Sequence, residues 1–152
     1  MLRAAILLLL STATLTGCSG FGVGVRQDTE DRDALTVLLA GKRSGDRFPA
    51  RGLLDRRWTR LFVFAPGAET QPIEDRIGIP FPFSKERAPE DAEYLVFADE
   101  EQVVAAFTFA GPPGVDASCL RAGRGPLLPE TELTLSASGS GLTTLTGIGR
   151  CG

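Results

Sequence analysis

The sequence predicts an α+β fold, a single small domain with a largely antiparallel sheet of about four to five strands, one N-terminal helix and one short helix. Three observations lead there. Leucines recur at helical spacing over 29–40, two unbroken apolar runs near the middle suit buried strands, and the C-terminal third alternates apolar with polar residues.

At the start of the chain, Arg3 supplies a positive charge, Ala4 to Leu10 form an unbroken apolar run, and residues 11–17 are small and mildly apolar. A membrane span needs about 20 predominantly apolar residues, and this run covers about a third of that, so it reads as an export signal. Leu15-Thr16-Gly17-Cys18 closes it in the order aliphatic, small, small, cysteine. The tetrad resembles the lipobox of bacterial lipoproteins. That resemblance implies thioether diacylglycerol on Cys18, cleavage between Gly17 and Cys18, and acylation of the new amino terminus, typically with palmitate. Each buried methylene contributes about 0.8 kcal/mol, so two or three acyl chains make a permanent anchor. The expected division is a signal peptide at 1–17, a lipidated flexible tether at 18–27 containing Gly20, Gly22 and Gly24, and one domain at 28–152.

Asp28 is the expected N-cap of the first helix, with Glu30 and Asp31 favouring its first turn. Ala34, Leu35, Leu38 and Leu39 share a face, so Thr29–Ala40 reads as a helix stopped at Gly41. Residues 42–54 are polar and broken by Gly45 and Phe48-Pro49, as a connection would be. Within a strand expected over 58–65, Leu61-Phe62-Val63-Phe64 is apolar on both faces and suits a central position ended by Pro66-Gly67. Thr70 as cap, Pro72 in the first turn, Ile73 and Ile77 one turn apart, and Gly78 as the stop mark the short helix. Tyr94-Leu95-Val96-Phe97-Ala98 and residues 103–110, joined by Asp99-Glu100-Glu101, form an expected antiparallel hairpin, terminated by Gly111-Pro112-Pro113-Gly114. Leu133 and Leu135 alternate with Glu132, Thr134 and Ser136 in a half-exposed strand at 131–137, and Gly139-Ser140-Gly141 turns into a weaker strand at 142–148.

The run from Trp58 to Pro66, with Ile73, Ile77-Gly78 and the later Tyr94-Leu95-Val96-Phe97-Ala98 before a charged turn, resembles small uncharacterised bacterial secreted proteins and lipoproteins over residues 58–109. The resemblance implies a fold and no activity. An aromatic residue commonly follows the proline of that pattern, where this chain has Gly67.

Without residues 1–17, the chain keeps 135 residues with 15 basic and 19 acidic side chains, a net charge near −4 that gives no footprint for nucleic acid. Histidine is absent, which removes Ser-His-Asp and Cys-His catalysis and histidine-ligated zinc or copper together. No glycine pattern follows a strand in a way that would cradle phosphate. The chain therefore reads as non-enzymatic, with no cofactor and no metal. Once Cys18 is assigned to lipid, Cys119 and Cys151 remain as an even pair, and a disulfide is the default in an oxidising compartment. It would close a loop of about 33 residues and contribute roughly 3–4 kcal/mol. The alternative is two free thiols or pairing between molecules.

Two stretches are candidates for binding. Ile79-Pro80-Phe81-Pro82-Phe83 is an apolar loop whose prolines can hold Phe81 and Phe83 outward as a patch, or close it over the core as a lid. Arg56, Trp58 and Arg60 alternate onto one strand face and suit an anionic headgroup or a glycopolymer, the alternative being solvated arginines over a structural tryptophan. The resulting expectation is a lipid-anchored envelope lipoprotein on the extracytoplasmic face of the cell membrane, or of the outer membrane where the organism has one. There it would act as a non-catalytic module for an envelope protein or a wall polymer. Two other readings stay open: an inhibitor of a secreted or envelope enzyme acting through the 79–83 loop, and a carboxylate-dependent hydrolase. The latter needs two carboxyl groups roughly 5–10 Å apart across a cleft.

Overall fold

The computed structural model describes residues 28–82, 88, 90–109, 115–121, 125–137 and 143–147. The expected signal peptide and tether with Cys18, as well as Phe83 and Cys151, lie outside them. The first helix, α1, spans Thr29–Ala40 as its periodicity predicts, and buries Leu35 and Leu39 one turn apart. Ala34, expected on the same face, is exposed. Asp28 stands at the N-cap, but its carboxylate makes no capping hydrogen bond; it accepts the Ala106 N–H at 3.0 Å. The expected cap is corrected because an edge-strand amide lies within reach and takes the carboxylate.

The segment expected as a plain connection contains strand β1 (Arg47–Pro49) and a 3-10 turn over Ala50–Leu53. Their apolar residues Phe48, Ala50, Leu53 and Leu54 are buried. β2 (Arg60–Phe64) leads through Pro66 and Gly67, the latter at φ 70°, to α2 (Thr70–Ile77). Glu69, rather than Thr70, is the residue before the first helical turn, and Gly78 ends α2 in the left-handed conformation at φ 74°, where a Cβ would be strained. β3 (Tyr94–Ala98) and β4 (Val103–Thr108) form the expected antiparallel hairpin. A two-residue strand β5 (Val115–Asp116) and the four-residue helix α3 (Ser118–Arg121) precede β6 (Glu132–Ala137) and β7 (Thr143–Gly147).

The strands form two sheets rather than one, ordered β1-β6-β7-β5 and β2-β3-β4. All pairs are antiparallel except β5 with β7. The fold is α+β, with three helices and two mostly antiparallel sheets in one small domain.

The three-stranded sheet is the middle layer. Its alternation sends Leu61, Val63, Leu95, Phe97, Ala105 and Phe107 to one face, where they meet Leu35 and Leu39 of α1, Phe48 of β1, and Leu133, Leu135 and Leu145 of β6 and β7. The opposite face presents Phe62, Phe64, Tyr94, Val96, Ala98 and Ala106 to Ile73 and Ile77 of α2 and to Phe81. All of β3 is buried, which is why its sequence carries no polar alternate. β2, expected at a central position, is instead an outer strand of its sheet; its apolar residues are buried because both faces are packed, and along its outer edge Leu61 and Leu127 exchange two backbone hydrogen bonds of 2.9 and 2.8 Å.

Candidate functional site

Neither sequence-predicted binding stretch forms a surface patch among the described residues. Phe81 is 6% exposed and packs edge-on against Tyr94, with ring centroids 6.4 Å apart. Its N–H donates to Glu74 Oε1 at 3.1 Å. The reading of Phe81 as an outward ring is therefore corrected in favour of the lid: the ring packs with Ile73 and Ile77 of α2 and the outer face of the sheet, where its apolar surface is removed from water.

Trp58, Arg56 and Arg60 do not share a face. The strand begins at Arg60, so the two-residue alternation that would align them does not reach Trp58. Trp58 is 4% exposed and meets Phe97 edge-to-face at 5.3 Å in the inner core. Arg60 lies on the other side, over the Phe62 ring, and donates to Asp99 O at 2.7 Å and to Ile77 O at 3.2 Å. Arg56 donates to Val104 O at 3.0 Å and pairs with Asp31 and, at 3.9 Å, with Asp28. Both arginines are committed to joining elements within the fold. Burial raises the Tyr94 hydroxyl well above the ordinary tyrosine range, with the Asp28 charge adding to it, so the phenol stays protonated.

Among the described residues, a candidate contact site lies where neither stretch anticipates it. A half-open hollow of about 340 Å³ lies beside the β3–β4 turn, lined by Arg57, Thr59, Asp99, Glu100 and Glu101. The turn is rigidly built. Asp99 Oδ1 accepts the N–H groups of Glu101 and Gln102, both at 2.8 Å, Arg60 holds the Asp99 carbonyl, and Thr59 donates to Ala98 O through its N–H at 2.9 Å and its hydroxyl at 3.3 Å. The Glu101 amide, then that of Gln102, lowers the Asp99 carboxyl below its ordinary value. Glu100 and Glu101 are exposed on the rim. The hollow thus offers one fixed carboxylate, that of Asp99, two exposed ones on Glu100 and Glu101, one hydroxyl and the Arg57 guanidinium, which suits polar or cationic groups held by hydrogen bonds. Its only sequence signal is the Asp99-Glu100-Glu101 turn; the approach of Arg57 and Thr59 is tertiary.

Among the described residues, no group of three or more acidic, cysteine or histidine side chains is arranged to hold a metal ion. Cys119, on α3, is disulfide-bonded; the expected partner, Cys151, lies outside the described residues. No described helix is long and apolar enough to cross a membrane. Compared with protein-family models, curated proteins and solved structures, the chain matches none.

Proposed function

We propose that this chain is a lipoprotein of the bacterial cell envelope, held at the extracytoplasmic face of a membrane by acyl chains on Cys18 and serving as a non-catalytic binding module. The observation that carries the reading is Leu15-Thr16-Gly17-Cys18 four residues after an apolar run too short to span a bilayer. The bonded state of Cys119 supports it, since disulfides persist in extracytoplasmic compartments. On this reading Cys151 is the partner of Cys119, the tether covers 18–27 and the domain 28–152. A wall polymer or an envelope protein is engaged through the polar hollow at the β3–β4 turn, which has a fixed backbone and exposed carboxylates.

Cys18→Ser tests the anchor. The wild-type protein should stay with membranes through a high-salt wash, and the variant should appear in the soluble or periplasmic fraction with its thermal unfolding unchanged. Retention of the variant on washed membranes would overturn the proposal.

A further inference from the structure

Three arginines flank Trp58 in the sequence, and the fold uses two of them. Arg56 donates to Val104 O and pairs with Asp28 and Asp31, while Arg60 donates to Ile77 O and Asp99 O. Arg57 lines the hollow and is exposed, and among the described residues it makes no hydrogen bond or ion pair. Its place follows from the start of β2. The N–H and hydroxyl of Thr59 both donate to Ala98 O, so the chain before Arg60 runs on past the end of β3 and brings residues 57 and 59 to the β3–β4 turn.

The carboxylates of the hollow are of two kinds. Asp99 is held by the turn, its Oδ1 accepting two amides and its Oδ2 lying 3.5 Å from Gln102 Nε2. The carboxylates of Glu100 and Glu101 are exposed and, among the described residues, have no partner. No ion pair joins either of them to Arg57. Opposite charges that line one half-open hollow without closing on each other stay hydrated, and a ligand carrying both charges can engage both.

That arrangement discriminates among ligands. Among the described residues no three acidic side chains are arranged to hold a metal ion. A simple anion on Arg57 would face three carboxylates, and a simple cation on the carboxylates would face Arg57. The volume of about 340 Å³ is at the small end for ligand sites, which suits an amino acid or a dipeptide.

We infer that the hollow binds a zwitterionic amino-acid group, with its carboxylate on the planar fork of Arg57 and its ammonium on Glu100 and Glu101. The group is carried by a free amino acid or dipeptide, or by the peptide of a wall polymer. This rests on the hollow being the contact site of the proposed function.

The test is amide NMR of the full chain in detergent micelles, titrated with alanylalanine. The Thr59, Glu100, Glu101 and Gln102 amides should shift saturably, with a dissociation constant of about 1 mM. N-acetyl-alanylalanine and alanylalanine amide, each lacking one charge, should bind about fivefold more weakly. Arg57→Ala should reduce the dipeptide to the affinity of its amide and leave the amide's own affinity unchanged. Glu100→Gln with Glu101→Gln should reduce it to the affinity of the N-acetyl form. A dipeptide that shifts none of these amides overturns the inference, as do blocked forms that bind equally well. Soluble peptidoglycan fragments separate this outcome from the proposed function. Fragments that shift the same amides only before acetylation of their amino groups support the zwitterion; fragments that shift them equally after acetylation overturn it and leave the hollow as the contact site. If neither dipeptide nor fragments act there, the inference and the role given to the hollow fall together.

Discussion

The two faces of the three-stranded sheet are made from the same strands but by different parts of the chain. The inner face is closed by α1, β1, α3, β6 and β7, so its packing joins Leu35 near one end to Leu145 near the other. The outer face is closed by α2 and the Phe81 loop, which lie in sequence between β2 and β3. One core is therefore long-range and the other local. Losing the first should unfold the whole domain, whereas losing the second should free a layer and leave the rest standing.

Phe97→Ala should give the largest effect. The ring is fully buried, meets Trp58 edge-on and stacks on Phe107 at 5.5 Å. A loss of about 4 kcal/mol is expected, seen as a single cooperative shift of the denaturant midpoint with an unchanged slope. Phe81→Ala should cost less, about 3 kcal/mol at most, and amide exchange should accelerate in α2 before β3 and β4. Equal acceleration across both layers would show that the two cores open as one and would break the comparison.

Gly78→Ala sharpens it further. The left-handed torsion at the end of α2 should make the substitution cost about 1–2 kcal/mol, although a Cβ there meets no atom within 4 Å. Chemical denaturation should register this loss, and exchange should confine the loosening to α2.

The smallest effect belongs to the turn shared by both layers. Asp99 binds its proton less readily folded than unfolded, because the Glu101 and Gln102 amides favour the carboxylate. Its contribution is fully present above the ordinary value of 3.8 and is lost as pH falls through the lower folded value. In Asp99→Ala, stability should vary less with pH in that acidic window; an unchanged acid profile by thermal melting would remove the role assigned to the turn.

Much of the fold was legible where side-chain period and stop signals agree. Helix 29–40, the hairpin through Asp99 and the alternation around Leu133 and Leu135 follow from local patterns. β1, β5 and α3 were not legible, being two to four residues long with their pairing partners far along the chain. Trp58 misled because alternation predicts a shared face only within a strand, and the strand starts two residues later. Phe81 could be read as ring or lid, and burial against Tyr94 decided it.

By itself the sequence determined which strands must be covered on both faces, since Leu61-Phe62-Val63-Phe64 and Tyr94-Leu95-Val96-Phe97-Ala98 leave no face for water, although only the second of them is the central strand of its sheet. It also set the lipidation expectation at Cys18, which is read from order along the chain. Only the tertiary structure decided that the strands divide into two sheets, that the Asp28 carboxylate turns from its helix to the Ala106 amide of β4, and that Arg57 and Thr59 meet Asp99 at a hollow. The reason is physical. A side chain's period and its neighbours in sequence fix what it must bury, but the partner that satisfies a polar group is chosen by whatever the completed packing brings within hydrogen-bonding distance.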